Sequence, residues 1–276
     1  MPNLLFNSIQ LRVPFVMASL DWLIVAVASF TIFQIMFHYL SARISIFFCK
    51  SYQTLTDIQK TEWNSRVVST FHALVVGLLS LYLLWFDDAV NANPIWGDPT
   101  LVKLNVGLTT GYLISDFLLI LWYWEAIGDI YFIIHHSTAL YAYYYVLGQG
   151  LLPYFANFRL IAEFSTPFVN QRWFFEALGY PKTSLPNIIN GFLMTVVFFL
   201  VRIAVMPPYY SKMIYTFGTE AFYKLGLRAQ FAWIAASLCL DVMNIMWMYK
   251  IGRGCYKVLL ACKKQQADIQ KNGKQH

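Results

Sequence analysis

What this sequence has least of is charge. Asp, Glu, Lys and Arg make up 12% of its 276 residues, about half the share in an ordinary soluble domain. Its four cysteines, Cys49, Cys239, Cys255 and Cys262, show no CxxC spacing, and Cys239 sits inside an apolar run, so neither a disulfide framework nor a zinc site is implied. There is no Asn-x-Ser/Thr sequon. The acidic turn of Asp87, Asp88 and Asp98 lacks the spacing of a calcium loop. No cleavable signal peptide is expected, because Arg12 and Pro14 break the first apolar run and it leads into a full-length span. The net charge of +6 would point to nucleic acid in a soluble protein. Here seven of the twenty Lys/Arg fall in the last 27 residues, so the excess reads as orientation and contact with anionic lipid, with no nucleic-acid partner.

Apolar residues, 58% of the chain, fall in blocks rather than in amphipathic stripes. A helix needs about 20 apolar residues to cross a bilayer. Runs near that length predict seven spans: Trp22–Leu40, Val67–Phe86, Leu104–Trp124, Ile130–Leu147, Leu151–Phe168, Ile188–Met206 and Ala229–Lys250. The expected fold is an all-α polytopic membrane bundle. Before the first span a weakly amphipathic lead lies at the interface or is disordered, and His38 is an interfacial histidine. A polar loop occupies 41–66. Pro167 is expected to stop or kink the fifth span. The aromatic loop after Pro207 is expected on the membrane surface, and the chain after Ile251 forms a basic tail, irregular at its end. Cys255 and Cys262, beside the last span among basic residues, permit palmitoylation.

Charge parity agrees with seven spans. The loop at 41–66, the loop at 169–187 and the tail hold thirteen Lys/Arg on one side, against five (Arg12, Lys103, Lys212, Lys224 and Arg228) on the other. Positive residues concentrate on the cytosolic face, which puts the N-terminus in the lumen and the C-terminus in the cytosol.

An ionisable side chain in hydrocarbon is costly unless it faces a bundle interior, a partner or water. By that criterion Asp116, the pair His135 and His136, Arg159, Glu163 and Asp241 mark an internal site. Neighbouring residues on a helix project about 100° apart, so one histidine faces the bundle centre while the other supports it or meets an adjacent helix. In a dry setting neutral imidazole is favoured, the form that acts as base, nucleophile or ligand, and Asp116, Glu163 or Asp241 would orient it. The divergence of adjacent histidines argues against a metal, unlike an i, i+4 zinc pair. Arg159 and Glu163, at i, i+4, are expected to neutralise one another, as a structural pair or as part of the site. Asp241 and Asn244, at i, i+3, share a helical face. Arg202, near a span end, is expected to snorkel to the headgroups.

As a set, VVSTFHA (67–73), GYLISDF (111–117), HHSTALYAYYY (135–145), FRLIAEFSTPFVNQRWFF (158–175) and DVMNIMW (241–247) resemble the TLC domain family over residues 61–263. Residues 1–60 then hold the lead, the first helix and a cytosolic loop, and 264–276 the tail. The resemblance implies a multi-pass endoplasmic reticulum protein of lipid homeostasis, with a six-helix barrel around a lipid-accessible cavity plus one N-terminal helix. In the lipid-binding reading His72, Arg159, Glu163, Asp241 and Asn244 would hold a headgroup, and no cofactor is expected. Ceramide synthases belong to the same superfamily. By that resemblance the alternative is an N-acyltransferase with acyl-CoA as co-substrate, in which His135 or His136 takes the acyl group or activates an amine and Asp116 is a supporting acid. The synthases carry two aspartates on the helix after the histidines, where this chain has Arg159, Glu163 and a Ser-Thr-Pro. A third reading is a cargo receptor or scaffold, although the end Asn272-Gly273-Lys274-Gln275-His276 carries no retrieval signature.

Overall fold

The computed structural model describes residues 15–97 and 100–272, and among them the chain is helical apart from turns and one isolated bridge, Trp96 to Leu151. In order the helices are α1 (Phe15–Ile35), α2 (Ser41–Phe48), α3 (Asp57–Phe86), α4 (Asp88–Ala92), α5 (Thr100–Trp122), α6 (Trp124–Ile127), α7 (Ile130–Gln149), α8 (Pro153–Leu160), α9 (Thr166–Ala177), α10 (Leu185–Phe198), α11 (Met206–Thr216), α12 (Glu220–Lys224) and α13 (Gly226–Asn272). The lead before Phe15, Asp98 of the acidic turn and the last four residues lie outside the described residues.

Contacts between distant loops define two ends of the bundle. At one, Leu152 N–H donates to the Ile95 carbonyl at 2.8 Å and the Trp96 indole to the Ala221 carbonyl at 2.8 Å. At the other, the Trp63 indole donates to Ser45 Oγ at 2.8 Å, and its ring packs on Trp173 and Phe174. This second end carries the basic loops and is called the basic end. α3, α5, α7, the α8–α9 segment, α10 and α13 run alternately between the two ends. α1 lies parallel to α5: Gly107 abuts Val25, Gly111 abuts the Ala26 carbonyl, and Gln34 reaches Ser115 Oγ at 3.1 Å.

Five of these passes are long and apolar enough to cross a membrane: Asp21–Phe48, Asp57–Phe86, Thr100–Trp122, Leu185–Thr216 and Gly226–Lys264. The protein is a helical membrane bundle. The other two expected spans fall short for identifiable reasons. In α7 five tyrosines and two histidines dilute an otherwise apolar run. The run from Leu151 divides into α8, a 3₁₀ stretch over Ile161–Ser165, and α9.

Several expected boundaries move. The first helix passes through a π turn at Met36–Leu40 and continues to Phe48, and only a 3₁₀ turn at Lys50–Thr54 separates it from α3. α3 starts ten residues early because Thr56 and Gln59 form a reciprocal capping box. Pro167 stands at the expected break: regular α-helix stops at Leu160, passes through the 3₁₀ stretch and resumes at Thr166, so that Pro167 occupies the first turn of α9, where its missing N–H has no intrahelical partner to lose. In the stretch after Pro207, α11 sends Tyr209 and Met213 into the core, while Ile214, Tyr215 and Tyr223 stay exposed. α13 passes Ile251 and continues to Asn272, with no proline to end it.

Little apolar area drives helices together within lipid, so close packing and polar staples specify the core. Ser80, Asn105 and Asn157 are fully buried at the junction of α3, α5 and α8. Ser80 Oγ donates to the Asn157 carbonyl at 2.7 Å, and Asn157 Nδ2 returns a bond to the Ser80 carbonyl at 3.0 Å.

Candidate functional site

Asp116 on α5 and His136 on α7 meet, His136 Nε2 lying 3.2 Å from Asp116 Oδ2. His136 Nδ1 lies 2.7 Å from the Phe132 carbonyl oxygen, one turn back on α7. A carbonyl oxygen only accepts, so Nδ1 must carry hydrogen. The bond between Nε2 and the carboxylate then needs a second proton, held either as imidazolium with carboxylate or as imidazole with carboxylic acid. Ser65 Oγ, at 3.5 Å, supports the other carboxyl oxygen from α3. The pair is therefore a fixed proton-holding unit.

His135 projects elsewhere, as the helical angle requires. Its ring stands at 88° to that of His136, 5.7 Å away, and at 5.7 Å from Trp247 on α13. Its Nδ1 is buried without a hydrogen-bond partner. Of the two imidazoles, His135 is the one uncommitted to protein.

The expected Arg159–Glu163 pair does not form. Arg159 instead grips Asp241 of α13 with both Nη atoms, Nη2 to Oδ2 at 2.9 Å, and its guanidinium lies 3.9 Å from the Tyr209 ring centre. The reason is local: Ile161–Ser165 is 3₁₀ rather than α, and its tighter turn rotates Glu163 away from the face of Arg159. Glu163 accepts from Thr166 Oγ1 at 3.1 Å.

Arg202 does not snorkel. It is 8% exposed, donating from Nε to Ser165 Oγ at 2.8 Å and from Nη1 to Asn244 Oδ1 at 3.0 Å. It sits in a π turn, Phe199–Ile203, whose extra residue turns the side chain inward between α9 and α13.

These groups surround an open cavity of about 1130 Å³, above the usual range of small-molecule pockets. Asp116, His135, His136, Glu163 and Arg202 line its inner part, while Ile188, Phe192 and Val196 of α10 face Ile251, Val258 and Leu259 of α13 to give an apolar wall. A second chamber of about 50 Å³ adjoins it, sharing His135, Glu163 and Arg202 and adding Arg159 and Asn244. Asp241 lines neither space; it anchors Arg159. His72 also lines neither; it is stacked 3.8 Å behind Tyr112, which does line the larger cavity, with both ring nitrogens buried and unpartnered.

The sequence reading missed Arg202 and Tyr112 as lining residues, along with the Arg66–Asn170 bond at 3.1 Å. Arg202 carried a signal in being ionisable within an apolar run. Tyr112 and Asn170 fall within GYLISDF and FRLIAEFSTPFVNQRWFF, but neither is an ionisable residue that stands out in an apolar run. Among the described residues no group of three or more His, Cys, Asp or Glu is placed to hold a metal ion.

Residues 62–253 match the family model described as the TLC domain. The chain is 62% identical over 250 residues to TLC domain-containing protein 4-B of Xenopus laevis, covering 91% of this chain and 95% of that one. It is 51% identical over 247 residues to TLC domain-containing protein 4 of Homo sapiens, covering 89% and 94%. It is 26% identical over 231 residues to Topoisomerase I damage affected protein 4 of Saccharomyces cerevisiae, covering 82% and 81%. No solved structure matches it.

Proposed function

This chain belongs to the TLC domain family, and from that premise we propose that it binds, senses or moves a lipid within an intramembrane cavity, as a multi-pass protein of the endoplasmic reticulum serving lipid homeostasis. The observation that carries the reading is the two-sided character of the cavity. Asp116, His135, His136 and Glu163 offer polar contacts at its inner part, and α10 and α13 offer an apolar wall beside them. That combination suits an amphiphile, with the polar group held inside and the chain along α10. The large volume leaves room for a long ligand. The basic end faces the cytosol in this reading, the N-terminus lies in the lumen, and the C-terminal helix rests its lysines against anionic lipid.

The test is native mass spectrometry of the full chain released from membranes, alongside lipid profiles of cells expressing wild type or His135→Ala/His136→Ala. Wild type retaining a lipid that the double variant loses supports the reading. Wild type emerging without lipid, and with cellular lipids unchanged, rejects it.

A second reading, an N-acyltransferase drawing on acyl-CoA, is favoured by one observation: an uncommitted imidazole, His135, stands beside a His136–Asp116 pair that holds a proton. Such a base next to a proton-holding unit suits acyl transfer to an amine. The same lipid profiles separate the two readings, since an enzyme loses a product and accumulates precursors in the variant.

A further inference from the structure

Resting on the lipid reading above, we propose that the small chamber adjoining the cavity receives the free hydroxyl of a neutral lipid, such as a diacylglycerol, and so selects against lipids whose polar group is charged. The chamber and the large cavity share His135, Glu163 and Arg202, so these three side chains stand where the two spaces adjoin. At about 50 Å³ the chamber has room for a hydroxyl group or a water or two, and none for a glycerol backbone. A lipid lying in the large cavity can extend only its smallest polar group into it.

Two residues that line the chamber each keep a buried nitrogen without a partner: His135 its Nδ1 and Arg159 its Nε. Asp241 takes both Nη atoms of Arg159 end-on, and Tyr209 covers a face of the guanidinium, so Nε–H is the donor left over. His135 Nδ1 donates or accepts according to its tautomer. Among the described residues Glu163 accepts only from Thr166, through Oε2, which leaves Oε1 as an acceptor. Buried polar groups are costly unless they are answered, and here the answering group must both donate and accept.

Charge narrows the ligand further. Asp241 compensates Arg159, while Arg202 and Glu163 place one positive and one negative charge on the same small wall. The chamber is thus neutral by count. A carboxylate or phosphate there would meet Glu163, and an ammonium would meet two guanidinium groups. A hydroxyl meets neither penalty, since it donates to Glu163 and accepts from Arg159 Nε–H or from His135. With its hydroxyl there, a lipid lays its chains along the α10 and α13 wall.

The experiment uses the full chain in detergent with four probes: 1,2-dioleoylglycerol, its 3-O-methyl ether, dioleoyl phosphatidic acid and oleic acid. Wild type should bind dioleoylglycerol roughly tenfold more tightly than the ether, which has lost the donor, and more tightly than either acid. Ala162→Val adds two methyl groups to the chamber wall and should abolish the preference for the free hydroxyl while leaving the ether bound as before. Glu163→Gln keeps the size of the side chain and leaves Arg202 without its counter-charge. That variant should bind oleic acid more tightly than wild type does, a gain that misfolding cannot produce. Wild type that binds dioleoylglycerol and its ether alike, or favours either acid, overturns the hydroxyl site and leaves the lipid reading standing. A preference that survives Ala162→Val, or oleic acid affinity unchanged in Glu163→Gln, overturns it as well. Failure of all four probes to bind a chain that retains lipid in native mass spectrometry overturns this proposal alone, and failure with no lipid retained rejects the lipid reading together with it.

Discussion

Arg159 and Asp241 stand 82 positions apart in the chain and meet through both guanidinium Nη atoms, joining α8 to α13 within the apolar interior. An ion pair there compensates two desolvated charges, so removing one partner costs more than removing both. Asp241→Leu alone should destabilise the protein by about 3–5 kcal/mol, because a buried guanidinium remains uncompensated. Arg159→Met with Asp241→Leu should recover most of that loss. Thermal unfolding in detergent across the double-mutant cycle measures it, and additive losses would remove the pair from the account.

The contact of α1 with α5 depends on the absence of a side chain at Gly111. A Cβ there would strike the Ala26 carbonyl oxygen and approach Ser29 Cβ to 2.6 Å, both parts of the facing helix that cannot rotate away. Gly111→Ala should therefore cost about 1–3 kcal/mol, in the range of overpacked cores. Gly191→Ala, where an added Cβ meets nothing, is the matched control and should leave the melting temperature unchanged or slightly raised. Equal melting of the two variants would contradict this packing.

The bond from His136 to the Phe132 carbonyl predicts a tautomer. Imidazole ¹⁵N spectra should show Nδ1 protonated in wild type. Asp116→Ala removes the partner of Nε2 and should leave neutral imidazole with hydrogen still on Nδ1. A neutral ring protonated at Nε2 in either protein would contradict the arrangement.

How much of this was legible in the sequence depends on the range of the interaction. Apolar blocks gave the helical membrane bundle, and the motif set gave the family, since both are contiguous patterns. Asp116, His135 and His136 were visible as ionisable residues in apolar runs, and they line one cavity. The partner of Arg159 was not visible, because spacing of i, i+4 presumes a regular α-helix and a 3₁₀ stretch intervenes. Arg202 was misjudged for a similar reason: its position near a span end favoured snorkelling, but a π turn reversed its direction. Thr56 and Gln59 were legible and overlooked; their capping box extends α3 into what was expected to be loop.

The two histidines should separate when each is changed alone. His136 is 5% exposed and holds two hydrogen bonds, so His136→Ala leaves Asp116 buried without its main partner. Truncation to leave a buried polar group unsatisfied costs about 1–3 kcal/mol, more when the group is charged. His136→Ala should accordingly lower the melting temperature and weaken ligand retention together. His135 has no partner on Nδ1 to lose, so His135→Ala removes a ring from the cavity wall without orphaning any acceptor. Its melting temperature should stay near wild type while bound lipid, measured by native mass spectrometry, falls. The reverse pattern, a stable His136→Ala and an unstable His135→Ala, would mean that the uncommitted imidazole is the structural one, and the division of roles between the two rings would have to be exchanged.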